Sequence, residues 1–112
     1  MNKEPQDNQP KSQMRKGILE FCILLIISRG RVYASEILAE LKKADLIVVE
    51  GTLYPLLSRL RSAGFLEHSW EESKAGPPRK YYSLTEKGQE NLSDLKDTWH
   101  NLVSSIVSLS KK

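Results

Sequence analysis

Apolar positions along the chain fall into four helical stretches and one stretch of strict alternation. The first apolar run is "ILEFCILLII", residues 18–27, and Ser12 is placed to cap the helix that carries it, with Gly30 stopping it after about Arg29. From Phe21 to Ile27 the run leaves almost no polar face. A helix apolar all round has to be covered on every side, and a chain of 112 residues has few elements to do that. The pattern therefore points to a partner chain. A second helix is read over 31–44, "RVYASEILAELKKA", on Ile37, Leu38 and Leu41, with Tyr33 or Ser35 near its start. "DLIVVE" follows as a loop with a short extended piece. In the third helix, "EGTLYPLLSRLRSAGFLE" (50–67), Leu53, Leu56, Leu57 and Leu60 stand at i, i+3, i+4 and i+7, which is one face.

After that helix the period changes to two. Leu66, His68 and Trp70 alternate with Glu67, Ser69 and Glu71, and Tyr82 and Leu84 alternate with Tyr81 and Ser83. "SKAGPPR" lies between them, so the segment is read as an antiparallel hairpin with a long tip. Trp70 is assigned to packing between hairpin and core; of Tyr81 and Tyr82, one is assigned to the core and the other is free to reach outward. Thr85 is a good N-cap for a last helix, with Glu86 at its positive end and Gly88 as a slight weakness in its first turn. Leu92, Leu95, Trp99, Leu102, Ile106 and Leu109 then recur at spacings of 3, 4, 3, 4 and 3. That is a heptad seam. It is too short to be stable alone, and a second copy of the chain is the expected partner.

The order helix, helix, helix, hairpin, helix is that of a winged helix-turn-helix. The expected fold class is α+β, mostly α, with a polar, disordered N-terminal arm over 1–11, a winged-helix domain over 12–84 and a C-terminal dimerisation helix over 85–112.

Composition narrows this picture without redirecting it. Hydrophobic content of 39% and charged content of 28% suit a globular chain with one modest core. The net charge of +3 permits nucleic-acid binding without requiring it. The single cysteine, Cys22, sits in an apolar run and is read as a small buried hydrophobe, which makes a reducing, cytoplasmic location the default. His68 and His100 have no ligand partners at metal spacing, so no metal and no cofactor are expected. The longest apolar run is about half the roughly 20 residues that span a bilayer, and no membrane role is expected. Nothing in the chain pairs a nucleophile with a base or two carboxylates in an apolar setting, so it is read as a non-enzyme.

The chemistry lies on the wet side of the third helix. Gly51, Tyr54, Pro55, Ser58 and Ser62 occupy it, flanked by Arg59 and Arg61, and Thr52 at the helix start is assigned to DNA with them. Small and hydrogen-bonding groups edged by cations suit a helix laid into a DNA major groove, with the arginines on phosphates. Two starts remain open: with Thr52 as cap, Pro55 is the third helical residue; with a start near Val49, it removes one hydrogen bond, to the Gly51 carbonyl. The hairpin tip adds Lys74, Arg79 and Lys80 with no acid among "KAGPPRK", as a wing on the DNA backbone requires. The alternative, a winged helix used for protein contacts without DNA binding, would call for an acidic or apolar outer face.

"EGTLYPLLSRLRSAGFLE" and "GPPRKYYSLTEKGQENL", with the looser "VYASEILAEL", resemble the PadR family of bacterial transcription regulators over about residues 15 to 110. The absence of a long second domain after the last helix resembles its short subfamily. The resemblance implies a homodimeric winged-helix repressor on a double-stranded DNA operator, its C-terminal helices packed on the partner's N-terminal helix. It also implies release by a planar aromatic ligand. In a multidrug-sensing branch a tryptophan of the last helix stacks on the drug, and "ENLSDLKDTWHNL" puts Trp99 in the matching place. Two readings of Trp99 stay open, dimer core and ligand platform.

Overall fold

The computed structural model describes residues 9–111 apart from Ile47 and Lys74. The chain runs α1 (Gln9–Ile27), β1 (Val32–Tyr33), α2 (Ala34–Lys43), α3 (Glu50–Ser62), β2 (Leu66–Ser73), β3 (Gly76–Leu84) and α4 (Glu86–Ser110). The strands form one antiparallel sheet in the order β1-β3-β2.

One core joins these elements. Ile23, Leu24 and Ile27 of α1, Ile37 and Leu41 of α2, and Leu53, Leu57 and Leu60 of α3 are buried together, with Leu66 and Tyr82 of the hairpin and Leu92 of α4 closing the sides. The leucine face of α3 is therefore the face that holds it in place; Leu56 lies at its edge, half-buried. Each fully buried side chain of this size contributes about 1.5–3 kcal/mol of transfer free energy.

Four local expectations are corrected. Helix α1 begins at Gln9, so Ser12 lies inside it instead of capping it, and of the arm expected over 1–11 the first eight residues lie outside the described part. Pro10 fits the first turn because its missing N–H would have had no intrahelical partner. The stretch 31–44 is not one helix: Val32 and Tyr33 form a short strand, paired to Tyr82 and Tyr81, and α2 starts at Ala34. There the Glu36 carboxylate accepts the Tyr33 N–H at 2.9 Å. The hairpin has no long tip, since the ladder continues from Leu66↔Leu84 to Ser73↔Gly76. Pro77 and Pro78 are accommodated because the register is broken between Glu71 and Ser73, where a missing donor disrupts least.

The fourth correction is Trp70, which is 62% exposed and takes no part in the core. Among the described residues no helix is long and apolar enough to cross a membrane.

The junction of α3, β2 and α4 is tightly tied. The Thr85 hydroxyl caps α4 by accepting the Gly88 N–H at 2.9 Å and donates to the Gly64 carbonyl at 2.6 Å. Lys87 donates to the Ala63 carbonyl at 2.9 Å. A Cβ on Gly88 would stand 2.0 Å from the Phe65 carbonyl oxygen. Gly88 is therefore a close-approach residue and not a weakness. Beyond this junction α4 leaves the core: Trp99, Leu102, Val103, Ile106, Val107 and Leu109 are all exposed, Leu109 by 84%.

Candidate nucleic-acid interface

The outer face of α3 is built by exclusion. With Leu53, Leu57 and Leu60 turned into the core, Gly51, Thr52, Tyr54, Pro55, Ser58, Arg59 and Arg61 are exposed. The helix starts at Glu50 with Val49 as its N-cap, which settles the start in favour of the earlier one. Pro55 thus lies inside the helix, and the Gly51 carbonyl lacks its i+4 donor. This interruption lies on the wet side, where water or a bound partner can satisfy the carbonyl.

Beside this face a cleft of about 550 Å³ opens between the start of α2 and the hairpin, lined among others by Ser35, Tyr54, Trp70, Arg79 and Lys80. The fold thus brings together Tyr54 of the third helix and two of the three wing cations read from the sequence. Lys74, the third, lies outside the described residues. The two wing cations are braced on aromatic rings: the Arg79 guanidinium lies 4.9 Å from the Tyr33 ring centroid and the Lys80 ammonium 5.1 Å from that of Trp70. Among the described residues none of the ion pairs takes either of them.

The two α3 arginines are not alike. Arg59 forms an ion pair with Glu20 of α1, so its charge is already balanced and directed toward the helix bundle. Its assignment to phosphate is therefore weakened by a contact that periodicity could not reveal. Arg61 lies toward the hairpin, where its charge acts on His68 and Tyr82. Burial first, then Arg61 and Lys80, hold His68 below the usual histidine value, so it adds no charge of its own at neutral pH.

Ser35, Tyr33 and Trp70 were not among the residues read as contacting DNA. Ser35 was legible only as a helix-start residue, and Tyr33 as part of a helix. Tyr33 and Tyr81 stack with ring centroids 4.0 Å apart, and the Tyr81 hydroxyl donates to that of Tyr33. That hydrogen bond, with some burial, pushes the Tyr81 phenol up to about 12. At the far end of the fold, Trp99 is 40% exposed and sits 6.3 Å from Phe21 in a tilted arrangement.

The comparisons with known proteins agree with this geometry. The family described as "Transcriptional regulator PadR-like family" matches residues 23–94. A PadR-like transcription factor from Bacteroides fragilis is 52% identical, with a TM-score of 0.79 over 89% of this chain and 97% of that one. A PadR-like transcriptional regulator from Bacillus cereus is 40% identical, with a TM-score of 0.81 over 89% and 98% of the two chains. The PadR of Bacillus subtilis, solved in complex with operator DNA, shares the fold at 23% identity, with a TM-score of 0.64 over 70% of this chain and 46% of that one. Matched by the family over most of its core and by these regulators over most of its length, the chain belongs to the PadR-like family and is a DNA-binding transcriptional regulator.

Proposed function

We propose that the chain is a sequence-specific, homodimeric repressor, that the face of α3 around Tyr54 and Ser58 enters a major groove, and that Arg79 and Lys80 lie on the adjacent phosphates. The observation that carries this reading is the single cleft in which Ser35 of α2, Tyr54 of α3 and the two wing cations meet. Gly51, Thr52 and Pro55 supply a small, close-approach surface on the same helix, and Arg61 adds charge at its far end. The dimer is supported by the uncovered apolar side of α4, where Leu102, Ile106 and Leu109 have nothing over them, continuous with Leu95, Trp99 and the buried Leu92. Two α3 helices in a dimer would read half-sites about 34 Å apart. The site of action is the cytoplasm.

Trp99 belongs to the same reading. Its exposure beside Phe21 supports a platform for a planar aromatic ligand whose binding alters the dimer and releases DNA. Quenching of its fluorescence by such compounds is the expected result, with their binding, followed by calorimetry, abolished in Trp99→Ala while the dimer survives; a monomeric Trp99→Ala assigns the side chain to the dimer core.

The test of the main reading is a mobility-shift titration with the DNA upstream of the chain's own gene against random duplex of equal length, at modest salt. Preference for the upstream DNA supports it. Equal binding to both duplexes removes sequence specificity from the proposal, and no binding to either removes the assigned DNA face.

A further inference from the structure

We propose that Arg31 and Tyr33 are positioning residues for DNA binding: together with Tyr81 and Glu71 they keep the Arg79 guanidinium free of carboxylate and aimed out of the wing. The inference rests on the reading of Arg79 as a phosphate contact.

The starting observation is a pairing that does not occur. Glu71 and Arg79 are direct cross-strand partners in the β2–β3 ladder. Opposite charges at such positions ordinarily attract each other, and an Arg79 neutralised in that way would have little left for phosphate. Instead the Glu71 carboxylate is taken by Arg31, at 2.6 Å. Arg31 immediately precedes β1, on the far side of β3 from β2.

What lies between the two arginines explains the exchange. The guanidinium of Arg31 stands 4.2 Å from the Tyr81 ring centroid, Tyr81 stacks on Tyr33, and Tyr33 carries Arg79 at 4.9 Å. The contacts thus run as a chain of cation, ring, ring and cation. The register Tyr33↔Tyr81 brings the two rings side by side, and their hydroxyls are hydrogen-bonded. A guanidinium over an aromatic face keeps its N–H groups available at the edge, since the attraction uses the π-face and not the donors. One end of these contacts is closed by Glu71; the other presents a cation to the cleft beside α3. Beyond the ring contact, less side-chain freedom is lost when Arg79 meets a phosphate, because part of it is already lost in the free protein.

The test is a pair of double-mutant cycles on operator affinity, using the full chain and measured across a range of salt. Arg79→Ala is expected to weaken binding about tenfold and reduce the salt slope by about one. Arg31→Ala frees Glu71 to pair with Arg79 and should weaken binding about threefold to tenfold. Adding Glu71→Gln to Arg31→Ala should restore most of that loss, whereas Glu71→Gln alone should change affinity far less. Equal gains from Glu71→Gln in both backgrounds overturn the proposal, because a general charge effect would produce them. Tyr33→Leu keeps an apolar side chain at the position and removes the ring. It should weaken binding by itself but add nothing to Arg79→Ala, while Tyr33→Phe, which keeps the π-face, should bind as the wild type. Additive losses from Tyr33→Leu and Arg79→Ala overturn the chain of contacts while leaving Arg79 on DNA. An Arg79→Ala that binds as the wild type overturns both. If Tyr33→Leu fails to fold, the Arg31/Glu71 cycle, on exposed side chains, decides alone.

Discussion

Gly88 shows how far a single residue's role can lie from its local propensity. In the first turn of a helix it reads as a mild weakness, yet the Phe65 carbonyl oxygen occupies the place a Cβ would need. Gly17, inside α1, has nothing within 4 Å of the same position. Gly88→Ala should therefore destabilise by about 2–3 kcal/mol, as overpacking does, while Gly17→Ala should stabilise by about 0.5–1 kcal/mol through helix propensity. Urea midpoints of the two variants, compared at constant slope, check both signs. Arg59 and Lys80 make a similar contrast. Both are cations near the cleft in sequence terms, but Arg59 is balanced by Glu20 and Lys80 lies over Trp70. Lys80→Ala should lower the salt slope of DNA binding by about one. Arg59→Ala should leave the slope nearly unchanged and lower stability, because it leaves the half-buried Glu20 carboxylate without its cation. Tyr81 supplies a pH signature: its phenol is held protonated up to about 12, chiefly by the Tyr33 hydroxyl, against an ordinary value of 10.0. Raising the folded-state value favours the folded form while the phenol is neutral. That contribution is complete below about pH 10 and is lost as pH rises through about 12. Tyr33→Phe should move the ultraviolet absorbance titration of Tyr81 downward and reduce this alkaline dependence, leaving the part due to burial and Glu71.

At the scale of elements, the helices and hairpin follow from period, and their ends follow from tertiary partners. The leucine spacing of α3 identified its buried face because a 3.6-residue repeat is a property of neighbours in the chain. Its start was undecidable on the same grounds, since Thr52 is a better cap by type than Val49, which nevertheless precedes the first helical residue. Pro55 consequently interrupts a real helix. Pro55→Ala should restore the bond to the Gly51 carbonyl and raise stability by about 1 kcal/mol, while adding a donor that satisfies a carbonyl on the proposed DNA face. Tighter folding with weaker operator binding is the expected pair of outcomes, read by thermal melts and titration of the same preparations. The wing's alternation was legible for the same reason as the helix faces. Its third strand was not: two residues are too few to show a period, and Val32–Tyr33 becomes a strand only because β3 offers an edge.

The molecule as a whole is larger than its core requires. A compact chain of this length has a radius of gyration of about 13 Å, whereas the value here is 16.5 Å. Much of α4 lies outside the core, since by helical rise it is about 37 Å long and has only Gly88 and Leu92 buried, and residues 10–17 of α1 are exposed as well. Leu102, Ile106 and Leu109 lie exposed on one seam of this helix, and in the proposed dimer the same seam of a second copy covers them. Leu102→Glu with Ile106→Glu should leave the winged helix folded by circular dichroism, shift sedimentation to a monomer, and reduce operator affinity by at least about 100-fold, since the two half-sites would no longer be bound by one linked pair. A dimer that persists would place the interface elsewhere.

The amino-acid sequence by itself determined which residues are apolar at which period, and with that the helices, their buried faces, the alternating wing and the seam of α4. These are local repeats, readable without knowing what lies opposite. Only the tertiary structure decided that Glu20 meets Arg59, that Glu71 goes to Arg31 and not to Arg79, that Gly88 must stay bare against Phe65, and that Tyr54 and the wing cations share one cleft. Each of these is a contact between groups distant in the chain. Charge pairing and close approach act through space, so they become specific only once packing of the leucine core has set the distances.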